Sequence, residues 1–280
     1  VSHDFENYLH FMHGQVRELC SNYGKLDIMW FDFSYDEMRA EKWQAQKLVE
    51  MVRGLQPDII LDNRLEVSGE GFGSLLSNHP SDYCGDFVSP EQIIPPYGLF
   101  DEKGRPVLWE ACITMNDHWG YHSQDHNYKK AATILRKLVE CVSKGGNMIL
   151  NVGPDARGRF PKEAIHILDE ISLWMRDHAE SIYGCSYASL KKPENGRITQ
   201  KDQVLYYHVM EMSIGGIPLY GIHREDVESI YLLSDHSELM IMDNWIVNNY
   251  PDIVFVDIKG NDLPDPIDTV IKISLKKKCE

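Results

Sequence analysis

Apolar residues recur at three- and four-residue spacing through residues 4–22: Phe5, Tyr8, Leu9, Met12, Val16, Leu19 and Cys20. That spacing predicts an amphipathic helix, closed by the turn chemistry of Asn22-Tyr23-Gly24. The apolar run at residues 26–31 then predicts a buried strand ending at Asp32. A second helical stripe covers residues 37–54 and stops before Pro57. Ile59-Ile60-Leu61 predicts the next strand, ending at Asp62-Asn63-Arg64. Residues 65–106 carry little periodicity, and a loop of that length usually has a function or is disordered. A strand is predicted over 106–114 and a strongly amphipathic helix over 125–143, stopped by Gly145-Gly146. A buried strand is predicted over 147–152, and a last helix opens at Pro161.

Strands alternating with helices predict an α/β fold with parallel strands. After Tyr183-Gly184 the pattern shifts to short alternating segments: residues 204–209, 230–233, 253–256 and 270–275. These predict a β-sandwich. The expected organisation is therefore a (β/α) domain over 1–184 and a sandwich over 185–280. The first domain is short for a closed eight-stranded barrel, which takes about 200–250 residues or more. Either it is an open sheet or it is a barrel lacking its first strands, and the abrupt start at Val1 favours the second.

Composition narrows the function. A formal net charge of −15 argues against nucleic acid as a partner, since such binding needs a basic face. Lys276-Lys277-Lys278 is too short to suggest an anionic membrane, and no apolar run approaches the roughly 18 residues of a membrane span. The six cysteines are scattered without a CxxC pair, so neither a disulfide framework nor a zinc site is expected. No leader is visible; a secreted, periplasmic or lysosomal-like compartment would require one upstream.

Barrel enzymes keep their chemistry where strands end. Asp32, Arg64 and Asn151 stand at such places, and Asp32 is flanked by Trp30, Phe31 and Phe33. Aromatic faces suit the apolar side of a sugar ring, although Asp32 could equally cap the following helix. Glycoside hydrolysis needs two carboxylates across the scissile bond. Glu91, in the long loop, is one candidate partner; alone it would be an ordinary surface glutamate. Glu110 is its rival, otherwise a strand residue in a structural network. His118, His122 and His126 are spaced four apart, as helical metal ligands would be, but Gly120 and Asn116-Asp117 make that stretch a loop. Asn151-Val152-Gly153-Pro154-Asp155 lacks the lysine and hydroxyl of a phosphate-binding loop.

Several stretches resemble family 29 glycoside hydrolases, the α-L-fucosidases. They are residues 15–24, Asp27-Ile28-Met29-Trp30-Phe31-Asp32, Asp62-Asn63-Arg64, and Gly85-Asp86-Phe87-Val88-Ser89-Pro90-Glu91-Gln92. Residues 109–117, Trp119-Gly120-Tyr121, 138–155 and Ser181-Ile182-Tyr183-Gly184 follow in matching order and spacing. The resemblance extends into the sandwich at Gly196-Arg197-Ile198-Thr199. It implies a (β/α)8-like barrel followed by a β-sandwich, and retaining hydrolysis through a covalent fucosyl-enzyme. By position it makes Asp32 the nucleophile and Glu91 the acid/base, with Glu110 in reserve because that loop varies in the family. Trp30, Arg64 and Trp119 fall at sugar-binding positions.

The family's earlier strands, with a His-His element, have no counterpart after Val1, so the chain resembles the C-terminal portion of the enzyme. The implied substrate is a glycan or glycoconjugate ending in α-linked L-fucose. No metal or organic cofactor is implied, and oligomeric state, a homo-oligomer included, is left open. Other readings are a non-catalytic fucose-binding relative, or an interaction fragment whose barrel edge another chain covers.

Overall fold

A computed structural model describes residues 4–32 and 34–276. Phe33, the third aromatic beside Asp32, lies outside them, as do Val1, Lys277, Lys278 and Cys279. By compactness the chain divides into Val1–Cys112 and Ile113–Glu280.

In the first unit, α1 (Phe5–Asn22) is capped by Asp4, whose Oδ1 accepts from the amides of Glu6 at 3.0 Å and Asn7 at 3.4 Å. The helix buries Leu9, Val16 and Cys20, whereas Phe5, Tyr8 and Leu19 of the predicted stripe stay exposed. β1 is only Ile28–Met29. A 3-10 turn, Ala40–Trp43, leads into α2 (Ala45–Leu55), and β2 (Ile60–Leu61) runs parallel to β1. Register pairs Ile28 with Ile60 and Met29 with Leu61. Leu61 and Met29 pack with Val16, Leu48 and Val52 in one apolar core. Ile28 and Ile60, on the opposite face, are 55% and 42% exposed. The expectation of a fully buried strand is therefore corrected to one buried face, because neighbouring side chains on a strand point oppositely.

The parallel course continues through single-residue bridges: Asp62 with Phe87, Val88 with Trp109, and Glu91 with Cys112. Residues 65–106 are thus a long excursion fastened along its return. Gly85 permits that fastening: it holds φ +80°, and a Cβ there would strike the Asp62 carbonyl.

The boundary between units falls within β3 (Glu110–Thr114). In the second unit, β4 (Asn147–Asn151) is half exposed, with Ile149 at 39%, again correcting a buried expectation. α3 (Ala131–Val142) starts later than its periodicity predicts. Asp125 accepts from the amides of Asp117 and Asn127 and contacts His118, holding the preceding segment as a loop. α4 (Lys162–His178) follows Pro161, which stands at its N-cap.

Then come β5 (Ser186–Tyr187), β6 (Gly196–Lys201), β7 (Val204–Val209), β8 (Ile217–Tyr220) and β9 (Val227–Leu232). β10 (Met240–Ile241), β11 (Ile253–Asp257) and β12 (Thr269–Leu275) complete the chain. They form two antiparallel sheets, ordered β5-β6-β7-β12-β9 and β10-β11-β8. Tyr207, Val209, Ile271 and Ile273 of one share a core with Leu219, Val254 and Val256 of the other. Two sheets closing on one core make a sandwich.

Candidate active site

Trp30, Asp32, Asp62, Arg64 and Glu91 all belong to the Val1–Cys112 unit. β1 and β2 end side by side, so the residues just past them, Asp32 and Arg64, are neighbours although far apart in sequence. Arg64 Nη1 donates to Asp32 Oδ1 at 3.2 Å and to Glu91 Oε2 at 3.1 Å. The structure thus brings together three of the residues singled out by sequence. Arg64 is 2% exposed, the Asp32 side chain 50% and the Glu91 side chain 35%, so a buried cation holds two carboxylates that reach solvent. Its guanidinium carbon sits 4.7 Å from the centroid of the Trp30 ring, a cation–π contact that fixes the plane of the fork. Trp30 therefore joins the site as the platform beneath Arg64.

Arg64 Nε donates to the Ser89 carbonyl at 3.1 Å. Its Nη2 is buried with no partner among the described residues, and so is Trp30 Nε1. Buried donors are normally satisfied, and unpaired ones in a site are available to a ligand.

Glu91 is better held than a loop position suggests. Its amide donates to the Gly69 carbonyl at 2.9 Å, and it bridges in parallel with Cys112. Gly69 fits because it lacks a side chain: a Cβ would lie 2.6 Å from the Glu91 Cβ and 2.7 Å from Arg64 Nη2. Glu110 is half-buried on β3, and burial pushes its pKa up. Burial raises the Cys112 thiol to about 11, against the pull of Arg64.

Sequence reasoning gave roles to neither Asp62 nor Asn63. Asp62, 1% exposed, accepts the Phe31 amide at Oδ1 at 2.9 Å; its Oδ2 is buried without a partner among the described residues. Burial lifts its pKa to about 7, opposed by the Phe31 amide and Arg64 and reinforced by Asp32. Asn63, fully buried, accepts the Ser89 amide at 3.1 Å and donates to the Gly71 carbonyl at 3.3 Å. The available signal was three consecutive polar residues directly after an apolar strand.

Trp119 lies in the second unit, where it is 38% exposed and its carbonyl accepts from Asn151 Nδ2 at 2.7 Å. In the same unit His118 Nδ1 meets Asp125 Oδ2 at 2.7 Å and stacks on His122 at 4.4 Å. The His118 contact holds the Asp125 carboxyl below its usual range.

A family model described as alpha-L-fucosidase matches residues 1–180. Alpha-L-fucosidase isoenzyme 1 from Paenibacillus thiaminolyticus is similar in structure, with a TM-score of 0.93 and 49% identity, over 99% of this chain and 64% of that one. An alpha-L-fucosidase from Bacteroides thetaiotaomicron, a trapped covalent intermediate with 2-fluoro-fucosyl fluoride, aligns at a TM-score of 0.80 and 25% identity. That match covers 98% of this chain and 62% of the other. An alpha-L-fucosidase of Dictyostelium discoideum is 37% identical over 177 residues, 61% of this chain and 34% of that protein. The chain therefore spans about a third of this curated relative.

Proposed function

The chain belongs to the α-L-fucosidase family, and from that membership we propose that it carries the catalytic carboxylates of a retaining exo-α-L-fucosidase. Its substrate is a glycan or glycoconjugate ending in α-linked L-fucose. Residues 1–184 belong to a (β/α)8-like catalytic barrel and 185–280 to the sandwich domain that follows it. Asp32 is the nucleophile and Glu91 the acid/base; Trp30, Arg64 and Trp119 bind the sugar.

The observation that carries this reading is the sharing of Arg64 Nη1. Two bonds of 3.2 and 3.1 Å to one nitrogen keep Asp32 Oδ1 and Glu91 Oε2 no more than about 6.3 Å apart. Retaining glycosidases hold their carboxyl groups about 5–5.5 Å apart, and inverting enzymes roughly 6.5–9.5 Å, to admit a water. Two carboxylates drawn to one nitrogen fit the closer arrangement, in which one of them attacks directly.

The bonds also divide the work between oxygens. Asp32 Oδ1 accepts from Arg64, leaving Oδ2 to attack the anomeric carbon. Glu91 Oε2 accepts from Arg64, leaving Oε1 to carry the proton given to the leaving oxygen. The C–O bond to the aglycone breaks as the ester to Asp32 forms. Glu91 then takes a proton from water, whose oxygen displaces Asp32 and restores both carboxyls. The covalent intermediate named for the Bacteroides relative supports such a course.

Asp32→Ala should abolish hydrolysis of an aryl α-L-fucoside by the full-length protein, with azide as an external nucleophile restoring turnover. NMR should show α-L-fucose as the first product. Near-normal turnover of the variant, or β-L-fucose appearing first, overturns the assignment.

A further inference from the structure

The two carboxylates sit on separate segments, one following β1 and one returning along residues 86–92. Their spacing therefore depends on whatever ties those segments together. Three consecutive residues after β2 do so. Asp62 Oδ1 accepts the amide of Phe31, the residue before Asp32, at 2.9 Å. Asn63 Oδ1 accepts the amide of Ser89, two residues before Glu91, at 3.1 Å. Arg64 bonds both carboxylates and returns to the Ser89 carbonyl. Asp62, Asn63 and Arg64 are 1%, 0% and 2% exposed, so the tying side chains are themselves shielded from water.

We propose that Asp62 and Asn63 are positioning residues of the reaction, Asp62 aiming the nucleophile Asp32 and Asn63 aiming the acid/base Glu91. The inference rests on the assignment of those two carboxylates made above. Neither residue need touch substrate: each fixes the backbone from which a reacting side chain projects. The alternation of the ties explains why one short segment can set a distance. Asp62 reaches the segment that carries Asp32, and Asn63, where the chain bends away from the strand, reaches the segment that carries Glu91. Displacement of about 1 Å in a reacting group can cost roughly 10²-fold in rate.

The two ties should fail in different ways. Loss of the Asp62 tie misaligns attack, which every substrate needs. Loss of the Asn63 tie misaligns proton donation, which matters most when the leaving group is a poor one. The test compares the wild-type full-length protein with Asp62→Ala and Asn63→Ala on aryl α-L-fucosides of graded leaving-group acidity. Both variants should lose about 10–10²-fold in kcat, with KM changed far less. Asp62→Ala should lose it evenly across the series. Asn63→Ala should lose more on poor leaving groups, steepening the dependence of kcat/KM on leaving-group acidity. Asp62→Asn keeps an acceptor oxygen for Phe31 and should lose less than Asp62→Ala.

Thermal unfolding followed in parallel separates misfolding from misalignment. A common loss of folded protein would scale all substrates alike in both variants. Identical leaving-group profiles for the two alanine variants, or kcat near wild type in either, overturn the proposal. Asp32→Ala assayed alongside keeps the outcomes apart. If it remains active, the nucleophile assignment has failed; if it is inactive while the profiles coincide, only the positioning roles have failed.

Discussion

Asp62 is the residue where burial and charge conflict most directly. Its carboxyl is almost fully enclosed, accepts one amide, and has Arg64 and Asp32 as its charged neighbours. Desolvation wins, and the pKa rises to about 7 from the ordinary carboxylate value. The folded state then binds this proton more tightly than the unfolded chain does. Between about pH 4 and 7 the unfolded state has released it while the folded state keeps it, so stability falls as pH rises and levels off above 7. The size should be of the order of a few kcal/mol. Melting curves of wild type and Asp62→Asn from pH 4.5 to 8 check this: the wild-type advantage should shrink as pH rises, by more than any other single carboxylate explains. Parallel curves would show that Asp62 does not titrate in that window. Asp32, Arg64 and Glu91 were legible as candidates because chemistry gathers at strand ends and the motifs resembled a family. The duties of Asp62 and Asn63 were not, because a hydrogen bond to another segment's amide leaves no spacing pattern in a sequence.

At the scale of elements, the long excursion of residues 65–106 shows what periodicity omits. It lacks the alternation of a strand, yet single bridges and one glycine fix its return. Gly69 is the glycine packed directly against the site. Its carbonyl holds the Glu91 amide, and its missing side chain leaves room for the Glu91 stem and the Arg64 fork. Arg64 cannot step aside, being buried and bonded at Nε and Nη1. Gly69→Ala should therefore displace Glu91 or Arg64, lowering kcat/KM on an aryl fucoside by about 10²-fold. Overpacking should cost roughly 1–3 kcal/mol in stability as well. Unchanged kinetics would mean that the loop yields without moving the site. Helices were the most legible elements, since a 3.6-residue stripe persists over many residues. α3 still began late, because Asp125 captures the chain ahead of it. Strands shrank to pairs of residues where only one face found a core.

For the whole molecule, two markers of organisation differ in kind. Sequence pattern changes from helix to alternating strands near residue 184, whereas compactness begins the second unit at Ile113. The apolar stripes of the helices account for this. Leu135, Val139 and Val142 of α3 and Trp174 of α4 share a core with Tyr206, Leu233 and Val270. Period marks which residues are apolar but not which partner they meet, so this packing was not legible beforehand. A buried polar chain reinforces it. Thr199 Oγ1 donates to the Ser181 carbonyl at 2.7 Å, so its 3.1 Å contact with His208 requires a hydrogen on Nε2. His208 Nδ1 meets Asp268 Oδ2 at 2.7 Å, and the Asp268 carbonyl accepts from Trp174 Nε1 at 3.0 Å. His208 and Asp268 are both wholly buried, so removing one strands the other without water to replace it. Asp268→Ala should cost about 3–5 kcal/mol, a fall in Tm on the order of 10 °C. A Tm within about 2 °C of wild type would mean that the His208–Asp268 pair adds nothing to the stability of this packing.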